Sequence, residues 1–283
     1  MNAHTPPRPG PPGQGPQPLP GVDAIIAVGS GKGGVGKTTL SVNLAVALAT
    51  LGHKVGLLDA DVYGPNVPLM LGVNGQPKMV GENRIEPLEA FGLKVISVGF
   101  LNPGDKPIIW RGPMLHQIMK QFLGLVEWGQ LDYLVVDLPP GTGDIALSLV
   151  QTVPLTGAVV VSTPSDVSLQ DARKAVEMFR QMKVDIVGIV ENMSYFVCPH
   201  CHNEIDIFSR GGAEKMAQHY DVAFLGNIEL DPEVRKSGDG GKPVVLEGEN
   251  SAHAKSLFAF ARKVEARVAE IRATAPESVI QIQ

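Results

Sequence analysis

The amino-acid sequence predicts an α/β protein in which a mostly parallel sheet is covered by helices on both faces. Short runs of β-branched and aliphatic residues alternate along the chain with segments whose apolar residues recur at helical spacing. A strand that is buried on both faces reads as a continuous apolar run, and several of these runs are of that kind. The alternation therefore favours parallel strands joined by helical crossovers.

The predicted elements follow one another in this alternating order from about residue 22. The predicted strands are Ala24–Val28, Val55–Leu58, Leu93–Val98, Tyr133–Val136, Ala158–Val161, Ile186–Val190 and Ala223–Leu225. The predicted helices are Thr38–Leu51, Met114–Val126, Ile145–Gln151, Leu169–Met182, Gly212–Gln218 and Ala252–Ile271. Residues 65–92 are rich in glycine and proline and indicate no clear element. The last helix carries its apolar residues on one stripe, which predicts that it packs against the sheet.

Composition and charge argue against several classes of protein. The chain has 283 residues, 44% of them hydrophobic and 19% charged, as in ordinary globular proteins. A net charge of −5 argues against a general nucleic-acid binder. No apolar stretch approaches the roughly 20 residues that span a bilayer, and the N-terminus lacks the features of a secretory signal. We therefore expect a cytoplasmic protein with no nucleic-acid partner and no membrane partner.

A phosphate-binding loop is predicted between the first strand and the first helix. The P-loop pattern is matched by Gly31-Lys32-Gly33-Gly34-Val35-Gly36-Lys37-Thr38. Glycines let successive backbone N–H groups face inward around an anion, and the helix N-terminus adds its positive dipole end. Lys37 is expected to reach the β- and γ-phosphates, and the Thr38 hydroxyl is expected to bind Mg²⁺. A glycine-rich turn without a ligand is a poor alternative in this position.

Acidic residues end two of the predicted strands. Asp137 follows an apolar run, where P-loop proteins place the carboxylate that holds the water shell of Mg²⁺. Asp59 and Asp61 end the second strand, and open α/β sheets bind ligands at the carboxyl ends of their strands. One of these two can hold the metal's water while the other orients the attacking water. The alternative for Asp137 is an aspartate that caps a turn, and the alternative for Asp59 and Asp61 is two solvated turn residues.

The two cysteines are separated by only two residues. Cys198 and Cys201 follow the Ile186–Val190 strand, and this spacing indicates metal or redox chemistry in a reducing compartment. Two thiolates are half of the ligand set of a [4Fe–4S] cluster or a structural zinc ion, and a twofold dimer would double the pair. Three alternatives stay open: a Cys₂His₂ zinc site with His200 and His202, a thioredoxin-type redox pair, and two inert thiols.

Together these motifs resemble one family of P-loop ATPases. Lys32, directly after the first glycine, is similar to the deviant Walker A lysine of the MinD/ParA/nitrogenase iron-protein group. Within that group, the ordered set of motifs resembles the Mrp/ApbC iron–sulfur cluster carriers. That set is Gly29–Thr39, Asp59–Pro65, Trp110–Met114, Asp137–Asp144, Glu191–Ser194 and the cysteine pair.

The resemblance implies a P-loop NTPase fold and assigns roles to matching residues. The loop from Gly31 through Thr39 would bind ATP, and Lys32 would reach across a homodimer interface to the phosphates of the partner's ATP. Asp61 would position the hydrolytic water, and Asp59 would lie near the magnesium. Asn192 would recognise adenine, with the loop of residues 231–233 beside the base.

The resemblance also implies a function and a division of the chain. The protein would be an ATP-hydrolysing carrier in which Cys198 and Cys201 of two subunits share a [4Fe–4S] cluster. Its partners would be a cluster-assembly scaffold and apo iron–sulfur proteins. We expect a disordered proline- and glycine-rich tail over residues 1–21, a P-loop ATPase domain with the cysteine loop over residues 22–273, and a C-terminal tail over residues 274–283.

Two other functions are compatible with parts of the sequence. A ParA/MinD-type positioning ATPase would dimerise on DNA or on a membrane, but it leaves the cysteine pair unexplained. A nitrogenase-like electron donor would also bridge its subunits with a cluster, but its cysteines are widely separated in the chain.

Overall fold

Strands and helices alternate in the predicted order. The computed structural model describes residues 15–81, 83–101, 112–141 and 143–274. The strands are β1 (Val22–Ser30), β2 (Val55–Asp59), β3 (Lys78–Val80), β4 (Arg84–Glu86), β5 (Leu88–Ala90), β6 (Leu93–Ser97), β7 (Leu131–Asp137), β8 (Gly157–Ser162), β9 (Ile186–Glu191), β10 (Phe196–Val197), β11 (Glu204–Ile205) and β12 (Phe224–Asn227). The helices are α1 (Lys37–Thr50), α2 (Val67–Met70), α3 (Gly112–Gly124), α4 (Asp144–Thr152), α5 (Asp166–Gln181), α6 (Gly212–His219), α7 (Pro232–Asp239) and α8 (Lys255–Thr274).

The central sheet has eight strands in the order β12-β9-β8-β1-β7-β2-β6-β5. All its pairs are parallel except that between β5 and β6, which is antiparallel. The sheet therefore confirms the mostly parallel arrangement predicted from the alternation. The order places the carboxyl ends of β1, β7 and β2 side by side in the middle of the sheet.

Two hydrophobic cores lie on opposite faces of this sheet. Alternation along β1 sends Ala24, Ile26 and Val28 into one core, with the apolar residues of α1 and α8. Ile25 and Ala27 enter the other core, which contains apolar residues of α3, α4, α5 and α6. Both faces are thus covered by helices, as predicted.

The helix that follows the P-loop is buried on every side. All residues of α1 from Leu40 to Leu48 are buried, because the helix lies between the sheet and α8. A helix that is apolar around its whole circumference belongs in a core. The P-loop therefore ends on a support that solvent does not reach.

The prediction of no clear element over residues 65–92 was wrong. Helix α2 and strands β3, β4 and β5 lie there, but each has only three or four residues. Elements this short show no measurable periodicity, and their pairing decides them. Strand β5 is fixed by β6, and β3 pairs with β4.

The C-terminal part of the described chain holds one confirmed and one missed element. The stripe on α8 is buried at Leu257, Ala261, Val264 and Val268, which confirms that this helix packs on the sheet. Helix α7 was not predicted, although proline after an aspartate is a signal for a helix start. No helix of the described residues is both long and apolar enough to cross a membrane.

Several sequence predictions concern residues outside the described ranges. These are the first fourteen residues of the N-terminal tail, Trp110 and Arg111 of one family motif, Thr142 of another, and residues 275–283 of the C-terminal tail.

Candidate functional site

The P-loop between β1 and α1 depends on two glycines. A Cβ atom on Gly31 would lie 2.0 Å from the backbone carbon of Asp171 in α5, so there is no room for a side chain. Gly36 adopts a left-handed conformation with φ +81°, and its Cβ would lie 2.1 Å from Nδ2 of Asn192. These close approaches fix the loop, and α1 begins at Lys37. The first N–H groups of a helix have no partner within it and are available to an anion.

Lys37 is the cation at the centre of the site. Its side chain is only 6% exposed, and Nζ lies 2.9 Å from Oδ1 of Asp137 and 3.3 Å from Oδ2 of Asp61. Oγ1 of Thr38 donates a hydrogen bond to Oδ2 of Asp137 at 2.7 Å, and Oγ of Ser41 donates to Oδ1 at 2.6 Å. The structure thus brings together four predicted site residues from three separate segments of the chain.

Asp59 lies beside Asp137 because β2 and β7 are paired in register at these residues. The Asp59 carboxyl group is fully buried. Its Oδ2 accepts hydrogen bonds from Oγ of Ser97 at 2.8 Å and from the N–H of Val67 at 3.3 Å, and its Oδ1 accepts from the N–H of Asp61 at 3.1 Å. Asp59 therefore ties the segment that carries Asp61 to the edge of the sheet.

The site carries more negative than positive charge. Burial, reinforced by the neighbouring Asp137 carboxylate, raises the pKa of Asp59 to about 8. Burial also raises the pKa of Asp61, and the Lys37 ammonium opposes that rise. Oxygen ligands and surplus negative charge suit a hard divalent cation. The hydroxyl of Thr38 and the carboxylates of this cluster therefore fit Mg²⁺.

A cleft of about 690 Å³ opens beside the P-loop. Asp61 and Tyr63 line it on one side, and residues 228–231 with part of α7 line it on the other. Its volume lies in the range of small-molecule sites, roughly 300–1,000 Å³. Lys32 also lines the cleft, and it has no ion-pair partner within the part of the chain that the structure describes.

Asn192 braces the P-loop from the neighbouring strand end. Its Nδ2 donates a hydrogen bond to the carbonyl of Val35 at 2.8 Å, and its N–H donates to the carbonyl of Ser162 at 2.8 Å. Among the described hydrogen bonds none reaches Oδ1 of Asn192, and this side chain lines the cleft. The predicted contact with adenine stays a prediction, and the brace is an additional role.

The segment predicted as a loop beside the base is the start of helix α7. Oδ1 of Asp231 accepts a hydrogen bond from the N–H of Glu233, which makes Asp231 the N-cap. Its Oδ2 contacts Nδ1 of His253 at 2.5 Å. That hydrogen bond raises the pKa of His253 above 6.5. No sequence pattern indicated this pair, since its members are far apart in the chain.

The cysteines lie at the tip of a small antiparallel hairpin, β10 and β11. The N–H of Cys198 donates to the carbonyl of Asn203 at 3.0 Å, and the N–H of His202 donates to the carbonyl of Cys198 at 2.9 Å. His202 adopts φ +58°, which turns the chain back towards β11. The hairpin therefore brings Cys198 and Cys201 together on an exposed surface.

The turn lowers the pKa of the Cys198 thiol. Backbone N–H groups of Cys201 and His200 and the Cys201 thiol point at its sulfur, and these hydrogen bonds lower its pKa below 9.0. Among the described His, Asp and Glu side chains, none joins the two cysteines in a group of three. The zinc alternative with His200 and His202 stays untested. The described chain supplies two thiol ligands, which is half of a cluster's set.

Several residues of the site were not predicted from the sequence. Ser97 and His253 contact it from distant segments, and no local pattern marks them. Ser41 could have been found, because it lies four residues after Lys37 on the same face of α1. Glu191 and Ser194 belong to a motif quoted for the family resemblance, but no role was assigned to either.

A family model supports this combination of sites. The model described as ParA: NUBPL iron-transfer P-loop NTPase matches residues 21–265, which is well over half of the chain. The chain belongs to this family. The P-loop and the cysteine hairpin are thus two parts of one iron-transfer NTPase.

Individual relatives agree with the family. The iron-sulfur cluster carrier protein of Aquifex aeolicus (strain VF5) is 52% identical over 254 residues, which cover 89% of this chain and 70% of that protein. A nucleotide-binding protein from Archaeoglobus fulgidus in complex with ADP has a TM-score of 0.70 and 41% identity, covering 79% of this chain and 88% of that chain. MinD from Pyrococcus horikoshii OT3, complexed with Mg-ADP, has a TM-score of 0.65 and 25% identity, covering 89% of this chain and 100% of that chain.

Membership confirms the resemblance drawn from the motifs. This iron-transfer NTPase is an ATP hydrolase in fold and class, and the ligands of such a protein are ATP, Mg²⁺ and an iron–sulfur cluster.

Proposed function

We propose that this protein is an ATP-dependent iron–sulfur cluster carrier that works as a homodimer. The observation that carries the proposal is a two-thiol hairpin, half of a cluster's ligand set, on a chain with a complete P-loop. In this proposal the cluster is cargo that the dimer receives from an assembly scaffold and passes to apo-proteins.

The nucleotide site supports hydrolysis through groups that are already in place. Lys37 would leave its two carboxylate partners and neutralise the charge of the β- and γ-phosphates bound in the P-loop. Oδ2 of Asp61 would then be released from Lys37 and could orient the attacking water. Its Oδ1 would stay held by the N–H groups of Tyr63 and Gly64. Water would add to the γ-phosphorus as the bond to the β-phosphate oxygen breaks, giving ADP and phosphate.

Thr38 and Asp137 would hold Mg²⁺, since their oxygens already lie 2.7 Å apart at the mouth of the P-loop. When bound, the metal supplies positive charge against the β- and γ-phosphate oxygens. Asp59 would lie behind these two residues, near the metal, and both of its oxygens already accept hydrogen bonds from the protein.

The remaining site roles complete the proposal. Lys32 would reach the phosphates bound by the partner subunit, and Asn192 would contact the base through Oδ1. A twofold axis beside the hairpin would bring Cys198 and Cys201 of both subunits together and supply four thiolates to one [4Fe–4S] unit. Because Cys201 is exposed, the cluster would remain accessible to a recipient protein.

A positioning ATPase of the MinD type is less well supported. The chain is 52% identical to a protein named as a cluster carrier and 25% identical to MinD. The positioning function also leaves the cysteine hairpin unexplained.

Anaerobic reconstitution of the full-length chain with iron and sulfide tests the proposal. The wild-type protein should take up about four irons per dimer, because four thiolates ligate one cluster. Replacement of Cys198 or of Cys201 by alanine should abolish uptake rather than halve it, since the twofold axis repeats each change. Binding of ADP should be retained, because the hairpin does not line the nucleotide cleft.

His200→Ala is the matched control, since it lies between the cysteines and should retain iron. Wild-type protein that takes up no iron would overturn the carrier proposal. Half-retention in the single cysteine variants would instead overturn the shared cluster.

A further inference from the structure

One buried carboxylate holds both ends of the segment 194–211, which carries the two cysteines and is called the cysteine excursion below. Glu191, the last residue of β9, is fully buried. Its Oε1 accepts hydrogen bonds from Oγ of Ser194 at 2.6 Å and from the N–H of Gly211 at 2.9 Å, and its Oε2 accepts from the N–H of Ala213 at 2.8 Å. Ser194 precedes the hairpin and Gly211 follows it. The chain between them therefore leaves and returns at a single side chain.

The next residue in the chain holds the nucleotide loop. Asn192 donates through Nδ2 to the carbonyl of Val35, and its amide would touch any side chain at Gly36. Glu191 and Asn192 are consecutive, so one peptide unit carries the support of the P-loop and the support of the cysteine excursion. The P-loop and the base of the hairpin therefore contact neighbouring residues at the end of β9.

The contacts of Glu191 make this link stiff. Hydrogen bonds to a charged group are stronger than those between neutral groups, and leaving their buried partners unsatisfied destabilises the fold. Ser194 is itself buried, its N–H donates to the carbonyl of Ile228 at 2.9 Å, and Ile228 N–H donates to the carbonyl of Glu191 at 2.8 Å. The base of the excursion can therefore shift only together with the end of β9.

We propose that Glu191 is a positioning residue that couples nucleotide binding to the geometry of the Cys198–Cys201 hairpin. The inference rests on the proposed function only in naming the hairpin as the cargo site. Nucleotide in the P-loop sets the position of Asn192, and the carboxylate of Glu191 passes that position to both ends of the excursion. Without the carboxylate, each site keeps its own ligand and loses its response to the other.

Cysteine alkylation of the cluster-free, full-length protein tests the coupling. Iodoacetamide modification of Cys198 and Cys201 is measured by mass spectrometry with and without saturating ADP. In the wild-type protein we expect ADP to change the alkylation rate about fivefold or more, the size of a typical coupling between sites. In Glu191→Gln the ratio of the two rates should fall to about one, while ADP affinity stays within about threefold of wild type.

The ratio separates coupling from a purely structural role, because a loosened hairpin would change both rates by the same factor. Glu204→Gln is the matched control: it removes a carboxylate from the same excursion, but one that is exposed and pairs with Arg210, so the ratio should be retained. Ser194→Ala removes one contact of Glu191 and serves if Glu191→Gln does not fold; its ratio should fall part of the way to one.

An ADP-independent alkylation rate in the wild-type protein overturns the inference, and so does an unchanged ratio in Glu191→Gln or in Ser194→Ala. Iron uptake by the same preparations is measured in parallel. ADP-dependent alkylation in a protein that takes up no iron would refute the carrier proposal and leave the coupling intact.

Discussion

The nucleotide site and the cysteine hairpin are built in opposite ways. Lys37, Asp59 and Asp137 are buried and come from α1, β2 and β7. Lys37 pairs with Asp137, and Asp59 accepts hydrogen bonds from Ser97 and from two backbone N–H groups. The cysteines lie on a two-residue-per-strand hairpin with exposed Cys201 at its tip. The first site is complete in its polar contacts within one chain, and the second supplies half of a ligand set.

This difference matches the chemistry of the two ligands. Phosphate charge is stabilised by groups that are already oriented and shielded from water, and the side chains of Lys37 and Asp137 are buried in this way. A cargo must be released, and segments with few buried apolar contacts open most readily. Ile205, Ile207 and Phe208 beside the cysteines are 47%, 49% and 45% exposed, which leaves an apolar surface for a second chain or a recipient.

The comparison predicts its largest effect at Lys37. Lys37→Ala removes the cation that pairs with Asp61 and Asp137, and the phosphates would then meet uncompensated carboxylates. We expect ATP turnover to fall about 10²–10³-fold, the cost of removing a preorganised charge-stabilising group. Steady-state phosphate release measures this, and calorimetry measures ADP binding.

Lys174→Ala is the control, because that lysine is exposed and pairs with Asp171 away from the cleft. Turnover in Lys37→Ala that equals the control would remove the assignment of the P-loop as the ATP site. Iron uptake should survive in both variants, since the hairpin contains neither residue.

A mixing experiment tests whether each nucleotide site uses Lys32 from its own subunit or from the partner subunit. Lys32→Ala and Asp61→Asn should each bind ADP and hydrolyse ATP poorly. If Lys32 acts on the partner's ATP, an equal mixture contains heterodimers in which one of two sites has both residues. Because half of the dimers are heterodimers, the mixture should recover about a quarter of wild-type turnover.

Subunit exchange is verified by native mass spectrometry before turnover is compared. Absence of recovery when heterodimers are present would mean that Lys32 serves its own subunit. The contrast between a site within one chain and a site shared by two would then apply to the cysteines alone.

The smallest expected effect is a pH dependence of the free energy of unfolding, which comes from the pair of His253 and Asp231 beside the nucleotide cleft. The hydrogen bond to the Asp231 carboxylate raises the folded-state pKa of His253 above 6.5, so protonation stabilises the fold. This contribution is fully present below pH 6.5 and is lost as the pH rises through the folded-state pKa. We expect less than about 1 kcal/mol, because the histidine is partly exposed and the pair is screened by solvent.

Urea unfolding of the wild type and of His253→Gln at pH 5.5 and 8.5 measures the difference. The wild type should lose more of its free energy of unfolding between these pH values than the variant does. His219→Gln provides the control, since it removes a histidine on α6 away from Asp231. Equal pH dependence in wild type and His253→Gln would show that the pair contributes nothing.

Local sequence patterns predicted most of the fold. The central strands and long helices agree with the predicted positions to within a few residues, because each is long enough for its apolar period to be counted. Residues 65–92 and α7 were missed for the opposite reason: elements of three to eight residues depend on pairing or capping by distant segments. Asp231 was expected in a loop, whereas it caps a helix and binds His253.

The sequence by itself determined the P-loop, the cysteine pair and the apolar alternation, because each depends on residues that are neighbours in the chain. The tertiary structure alone decided that Asp59 lies against Asp137, since this follows from the register of β2 with β7. It also decided that Glu191 holds the ends of the cysteine excursion while Asn192 holds the P-loop. Such contacts depend on long-range strand order and burial, and these arise only when the whole sheet has formed.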